Sequence, residues 1–349
     1  MSEPAPQNSE PEPQNEPQKV RVARVAEDEP TIFQKARAAP VTAIITALNV
    51  AAFAWIWRQG GIDRTGAALE YGSLESIHVW AGEYWRIVSY MFLHGGVMHL
   101  VMNMYVLVGW GPPLERALGT KRFVLFYFLT GIAAGCTSVA GSILFPGTHS
   151  VNGSVGASGA LFGIIGAVMA LRRRQLGSFQ AFFADKGVRS ILVQIGVWTA
   201  IGIYALHLDN AAHLGGFVSG FAACWVMSSP PEARRNGWLA IGAGVAALFV
   251  FAARPWWTPA GKDANYLVAY ANAYLAGNVV TEDGGSSWPH DIARGERFLE
   301  KGCKAGVASA CEALAEHIEH MGAPDAAEKS KVLRRRASEL DPGLDQQQH

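Results

Sequence analysis

Charged residues are scarce in this chain, and neither sign prevails. Asp, Glu, Lys and Arg make up 17% of the 349 residues, and the formal net charge is zero. Proteins that bind nucleic acid carry a basic patch or stripe, which this sequence lacks, so we expect no nucleic-acid partner. Half of the residues are hydrophobic and the mean hydropathy is +0.13. These values predict an all-α polytopic membrane protein with soluble ends.

Several catalytic signatures are also missing. The chain has no His-Glu-x-x-His motif of a metalloprotease and no Gly-Asp dipeptide of an intramembrane aspartyl protease. Ala160 stands where the nucleophile elbow of an α/β-hydrolase needs its second glycine. No phosphate-binding loop of glycines and lysine occurs. We therefore predict that the protein uses no metal, nucleotide or other cofactor.

The apolar runs divide the chain into four predicted regions. Residues 1–34 are rich in Pro, Glu, Gln and Asn, which predicts a disordered tail. Residues 35–230 hold six apolar segments, residues 231–256 hold a seventh, and residues 257–349 form a soluble helical domain. The predicted spans are Val41–Trp57, His94–Trp110, Phe123–Leu144, Ser158–Leu171, Val188–Ala205, Ala211–Met227 and Trp238–Ala253. Several are shorter than the ~20 residues of a full crossing.

Basic residues orient these spans. They precede the first span and recur at Lys121-Arg122, Arg172–Arg174 and Arg234-Arg235, all on one side if the spans alternate. Because basic loops stay in the cytoplasm, the N-terminus is predicted to be cytoplasmic. Seven spans then place the region beyond Ala253 outside. We expect a multi-pass protein of a bacterial inner membrane with a periplasmic C-terminal domain.

The segment between the first two spans is rich in amphipathic aromatic residues. Such side chains are well suited to a membrane surface. We therefore expect this segment to form a loop that lies on or dips into the outer leaflet. The aromatic residues are Trp80, Tyr84, Trp85, Tyr90 and Phe92.

Two glycine-rich segments carry candidate catalytic side chains. Asn152–Met169 contains Ser158, within Gly-Ala-Ser-Gly, and Asp209–Met227 contains His213. Small residues recur every four positions in the second segment and so line one helix face: Ala212, Gly216 and Gly220. Small residues let membrane helices approach closely, which would bring the hydroxyl and the imidazole together as nucleophile and base. A lone membrane serine is usually a packing residue, whereas a buried histidine is more often functional.

A third motif opens the second span, as His94-x4-His99-x3-Asn103. His99 and Asn103 are four residues apart and share a helix face. An asparagine amide is a suitable donor to an oxyanion, and a nearby histidine can assist it. The alternative is hydrogen bonding between helices, and for His94 we favour that structural role.

Together these three motifs resemble the rhomboid family of intramembrane serine proteases. They occur in the family's order and spacing across about residues 41–228. Trp85-Arg86 and the segment from Leu114-Glu115 to Gly119 add to the resemblance. It implies a rhomboid six-helix bundle over residues 35–230, here followed by a seventh transmembrane helix.

The resemblance also implies a role for each candidate residue. Ser158 would be the nucleophile of a Ser-His dyad, and His213 its general base and acid. His99, Asn103 and the backbone amide of Ser158 would form the oxyanion hole. Phe162 stands where the family commonly has a tyrosine that stacks on the histidine. The remaining supporting residues are His94, Gly156 and Gly216. The substrates would be transmembrane proteins in the lipid bilayer, cleaved through an acyl-enzyme.

The C-terminal region has a separate signature. Cys303 and Cys311 could form a disulfide in an oxidising compartment, and two free thiols are the alternative. Residues 265–322 resemble short tetratricopeptide-like repeats that carry such a cysteine pair. Repeats of this class form protein-binding surfaces, so the resemblance implies a protein partner for this domain.

Three alternatives stay open at this point. A non-catalytic rhomboid-like module that binds transmembrane helices is disfavoured because both Ser158 and His213 are present. A transporter that relays protons through histidines is disfavoured because the core spans lack carboxylates. Asp209, four residues before His213, is read as the N-cap of the sixth span in preference to a third catalytic residue.

Overall fold

The computed structural model describes residues 37–59, 67–144, 153–202, 208–253, 259, 262–277, 290–322 and 324–343. The tail predicted over residues 1–34 lies outside these ranges. The described residues contain no β-strand, apart from one isolated antiparallel bridge between Leu74 and Ser154. The predicted all-α class is therefore confirmed.

The described residues form fifteen α-helices and one 3-10 turn. In chain order they are α1 (Pro40–Arg58), α2 (Ala67–Glu70), α3 (Ser76–Trp80), α4 (Arg86–Ser89), a 3-10 turn (Tyr90–Phe92), α5 (Val97–Leu118), α6 (Thr120–Leu144), α7 (Ser158–Leu176), α8 (Phe179–Ala184), α9 (Lys186–Ile201), α10 (Asn210–Met227), α11 (Pro231–Ala253), α12 (Lys262–Ala276), α13 (Ile292–Lys304), α14 (Ala308–Met321) and α15 (Ala326–Leu340). We call residues 67–92 the first loop, and α12–α15 the C-terminal helices.

Each predicted span coincides with one of the long helices, although the bounds differ. Within the described ranges, α1, most of α6 and α11 are long and apolar enough to cross a membrane alone. A fourth crossing results if Arg86–Phe92 and α5, which meet at a 92° bend, count as one span. The other candidates fall short: α7 has three arginines in its last five residues, α9 has only 16 residues, and α10 carries Asn210 and His213 in its first turn. The chain is an integral membrane protein.

The helix α5 continues about two turns beyond the predicted end at Trp110, to Leu118. This extension carries Glu115 to the start of α1, where its carboxylate is buried. Glu115 accepts the backbone N–H of Val41 at 3.0 Å, and both the N–H and the hydroxyl of Thr42 at 2.8 Å. The N-cap residue of α1, Ala39, makes no side-chain hydrogen bond to the first turn. Glu115 therefore supplies the acceptor that the free N–H groups of this turn require.

The glycine spacing correctly predicts a close helix contact between α7 and α10. A Cβ atom built on Gly216 would lie 1.9 Å from the carbonyl oxygen of Gly159, and one on Gly220 would lie 2.1 Å from that of Gly163. Any side chain larger than hydrogen would therefore push the two backbones apart.

The first loop differs from expectation. Trp80 and Tyr90 are only 2% exposed and are buried by protein, whereas Tyr84 and Trp85 remain exposed. Trp80 lies in a core shared with the C-terminal helices, and the Tyr90 hydroxyl donates to the Gly131 carbonyl at 2.7 Å. These two side chains therefore contact protein and not lipid, because residues distant in sequence bury them. The position of the loop on or in the outer leaflet stays a prediction.

The helix contact yields a first prediction. Gly216→Ala should overpack the α7–α10 contact and destabilise the protein by about 1–3 kcal/mol, measured as a lower midpoint of thermal unfolding in detergent. Gly244→Ala is the matched control, since a Cβ on Gly244 of α11 meets no atom within 4 Å. Equal unfolding midpoints for the two variants would show that the close contact is not a constraint.

Candidate active site

Ser158 is the first residue of α7 and follows an extended segment that is held on both sides. Ser154 and Leu74 exchange backbone hydrogen bonds of 2.7 and 2.9 Å, and the Gly156 N–H donates to the Tyr90 carbonyl at 2.9 Å. The first turn of a helix leaves its N–H groups without intrahelical acceptors. The Ser158 hydroxyl therefore lies beside a cluster of backbone donors.

His213 lies one turn into α10 and faces Ser158. Its Nε2 atom is 3.0 Å from the Ser158 hydroxyl oxygen, a normal hydrogen-bond length. Phe162, one turn further along α7, stacks on the imidazole with ring centroids 4.2 Å apart and an interplanar angle of 11°. The side chain of His213 is thus fixed by a hydrogen bond at its edge and by an aromatic ring on its face.

Asp209 caps α10, as the sequence favours. One carboxylate oxygen accepts the Ala212 N–H at 2.9 Å, and the other accepts short hydrogen bonds from the hydroxyls of Ser138 and Ser154. Asp209 contacts His213 through the helical backbone, where the His213 N–H donates to the Asp209 carbonyl at 3.1 Å. The carboxylate thus ties α6, the segment before Ser158 and the start of α10 together.

Two further donors point at Gly156. A Cβ built on Gly156 would lie 2.8 Å from Nε2 of His99 and 3.5 Å from Nδ2 of Asn103. The buried Nδ2 group of Asn103 has no hydrogen-bond partner among the described residues. The Gly95 N–H lies 3.4 Å from Nδ1 of His99 and directs a hydrogen toward it, which leaves Nε2 as the protonated nitrogen of a neutral ring. Unused donors in this arrangement fit an anionic oxygen.

Gly156 must be glycine for two reasons. Its φ of +127° lies in a region that other residues avoid, and a side chain would fill the space in front of His99 and Asn103. Gly216 contributes differently, because its missing side chain sets the approach of α10 to α7. His94 is buried next to His99, with ring centroids 5.1 Å apart. Neither ring nitrogen of His94 has a hydrogen-bond partner among the described residues, so the favoured hydrogen bonding between helices is not seen there.

The candidate residues do not all meet. Ser158, His213, Phe162, His99 and Asn103 gather at one site, whereas the cysteine pair lies in the core of the C-terminal helices, where a disulfide joins Cys303 to Cys311. Within the described ranges, no three side chains of His, Cys, Asp or Glu gather as a metal site would require.

Sequence reasoning missed three residues that support the site. Tyr90 was interpreted as an interfacial aromatic, yet its carbonyl holds Gly156. Ser138 and Ser154 drew no attention because a single hydroxyl in an apolar or loop segment has no periodic or spacing signal. They became recognisable only through the carboxylate of Asp209, which lies 71 and 55 residues away in sequence.

The sequence is similar to known proteins over this part of the chain. Residues 81–230 match the family model of the rhomboid domain. The chain is 32% identical over 204 residues to rhomboid protease GluP of Bacillus subtilis, covering 58% of this chain and 37% of that protein. It is 36% identical over 164 residues to RHOMBOID-like protein 1 of Arabidopsis thaliana, covering 46% and 39% of the two chains.

A third relative is rhomboid-like protease 2 of Toxoplasma gondii, 33% identical over 143 residues, or 41% of this chain and 47% of that protein. The chain therefore covers less than half the length of each of these relatives. The similarity falls on the helices that carry the site. Residues 81–230 of this chain are therefore similar to a rhomboid domain.

Proposed function

We propose that the chain is an intramembrane serine endopeptidase that cleaves transmembrane-anchored proteins. The observation that carries this proposal is the 3.0 Å contact between the Ser158 hydroxyl and Nε2 of His213, opposite the unused donor of Asn103. A nucleophile beside its base, with donors where negative charge develops, is the arrangement that acyl transfer needs.

The mechanism follows from these positions. Nε2 of His213 accepts the Ser158 proton as the hydroxyl oxygen attacks the peptide carbonyl. Asn103, His99 and the backbone N–H of Ser158 stabilise the oxyanion of the tetrahedral intermediate. His213 then protonates the leaving amine, and water hydrolyses the acyl-enzyme by the reverse sequence of proton transfers. Stacking on Phe162 keeps the imidazole in place throughout.

We further propose seven spans, with the N-terminus in the cytoplasm of a bacterial cell and the C-terminal helices outside. The contact of the C-terminal helices with the first loop supports an odd number of spans. An odd number places the region after the last span on the side opposite to the N-terminus. Leu69, Ile77 and Trp80 of the first loop share one core with Leu267, Tyr274 and Phe298. The first loop follows the first span, so the region after the last span can reach it only after an odd total.

We also propose that residues 257–349 form a helical-repeat-like domain with a protein partner. Each of the C-terminal helices contacts the next one along the chain, and the disulfide joins α13 to α14. Stacking of consecutive helices is typical of repeat domains that present a binding surface.

The central test replaces Ser158. Co-expressed with a labile single-pass substrate, Ser158→Ala and His213→Ala should each lose on the order of 10³-fold or more of the cleavage rate. Ser219→Ala should cleave like wild type, because the Ser219 hydroxyl donates within α10 to the Gly216 carbonyl. Equal cleavage by wild type and Ser158→Ala would eliminate this mechanism.

Removing the amide donor gives a second test. Asn103→Ala should lower kcat by about 10²–10³-fold with little change in KM, since the donor acts on the transition state. Met102→Ala is the control, because this neighbour on α5 is exposed on the outer surface of the bundle. An unchanged kcat in Asn103→Ala would remove this residue from the mechanism.

Substitution of Asp209 separates a cap from a third catalytic residue. Asp209→Asn keeps an oxygen acceptor for Ala212 and should retain most activity, whereas Asp209→Ala should lose about 1–2 kcal/mol of stability along with activity. A catalytic carboxylate would behave differently, since neutralising it with Asn costs about 10⁴-fold in a serine protease triad. Thermal unfolding and kcat of both variants distinguish the two roles.

A further inference from the structure

The C-terminal helices bind the first loop through a buried histidine. His78 of α3 is 0% exposed, with the rings of Tyr270 and Phe298 at 5.0 and 5.1 Å. Its Nδ1 lies 3.0 Å from the Glu75 carboxylate and its Nε2 2.9 Å from the Tyr274 hydroxyl. Burial lowers the pKa of His78, so the neutral ring donates to Glu75 and accepts from Tyr274.

Charged side chains of α13 reach the same loop. Arg294 lies 3.1 Å from one carboxylate oxygen of Glu83, and the other oxygen accepts from the buried Arg86 at 2.6 Å. Lys301 donates a short hydrogen bond to the Trp80 carbonyl, and its ammonium lies 4.7 Å from the centroid of the Trp80 ring. The C-terminal helices thus contact both the backbone of α3 and the carboxylate that orients Arg86.

Arg86 carries this contact toward the active site. Its guanidinium donates to the carbonyls of Leu69 and Ser73 at 2.8 and 2.9 Å. The next residue, Leu74, exchanges two backbone hydrogen bonds with Ser154. Ser154 lies two residues before Gly156, and its hydroxyl donates to the Asp209 carboxylate. Hydrogen bonds and chain neighbours therefore connect Arg294 to the segment in front of Ser158.

We propose that the C-terminal helices position the active site. By holding the first loop, they keep residues 153–156 in the conformation that places Gly156 before the oxyanion donors. Tyr274, Arg294 and Lys301 are the positioning residues. This role rests on the proposed protease function, and it assigns to the C-terminal helices an effect on the rate of cleavage that is separate from any partner they bind.

The test uses full-length protein in detergent and a matched pair of double variants. Arg294→Gln with Lys301→Met removes two charges that face the first loop. Lys329→Met with Arg335→Gln removes the same charges from α15, where each pairs with a nearby carboxylate of its own helix or cap. Tyr274→Phe removes a single hydroxyl. It tests the same contact with a smaller change, in case the first double variant does not fold.

Hydrogen exchange at the amides of Ser154 and Gly156 is the first measurement. In the Arg294→Gln, Lys301→Met variant these amides should exchange about tenfold faster than in the α15 control. Tyr274→Phe should change the exchange rate in the same direction. The second is cleavage: kcat should fall about fivefold or more while KM stays within about twofold. In Tyr274→Phe, kcat should fall by a smaller factor.

Two outcomes would overturn the proposal. Exchange equal to the control would mean that the helices do not hold the segment, and faster exchange with unchanged kcat would mean that holding it does not position the site. The proposed function fails separately, if the unaltered chain shows no cleavage that depends on Ser158. In that case the exchange comparison still decides whether the C-terminal helices hold residues 153–156.

Discussion

The backbone contact between α7 and α10 is the constraint on which the site depends. Gly216 and Gly220 of one helix lie directly against Gly159 and Gly163 of the other. Ser158 and His213 occupy the same turns, so the separation of the helices fixes the 3.0 Å contact between their side chains. In a bilayer no hydrophobic driving force presses helices together, and close packing of small residues has to supply the association.

Several buried polar atoms of the bundle have no hydrogen-bond partner among the described residues, including Nδ2 of Asn103 and both ring nitrogens of His94. The carboxylates of Asp209 and Glu115 each accept three hydrogen bonds that join separate segments. Asn103, by contrast, buries an amide donor with no partner among the described residues. An unsatisfied buried donor costs free energy unless a ligand or transition state uses it. The Asn103 donor lies 3.5 Å from a Cβ atom built on Gly156, and this position is what favours its proposed catalytic role.

Local patterns in the sequence predicted the helices and the α7–α10 contact because both arise from residues three or four apart. Ser158 and His213 could be paired for the same reason, since each sits on a glycine face. The bounds of α5 and the burial of Trp80 and Tyr90 depend on partners far away in sequence. His78 and Tyr274 are an example: they are separated by 196 residues, and the sequence around either one does not indicate that the other is its partner. The contact of the C-terminal helices with the first loop was therefore beyond sequence reasoning.

A structure of the protein after reaction with a fluorophosphonate would test the account most directly. We predict that the phosphorus atom is bonded to the Ser158 oxygen, and that the phosphoryl oxygen lies about 3 Å from Nδ2 of Asn103 and from the Ser158 amide. The imidazole of His213 should remain stacked on Phe162. A phosphoryl oxygen directed away from Asn103 and Gly156, or an adduct on a different serine, would contradict the proposed site.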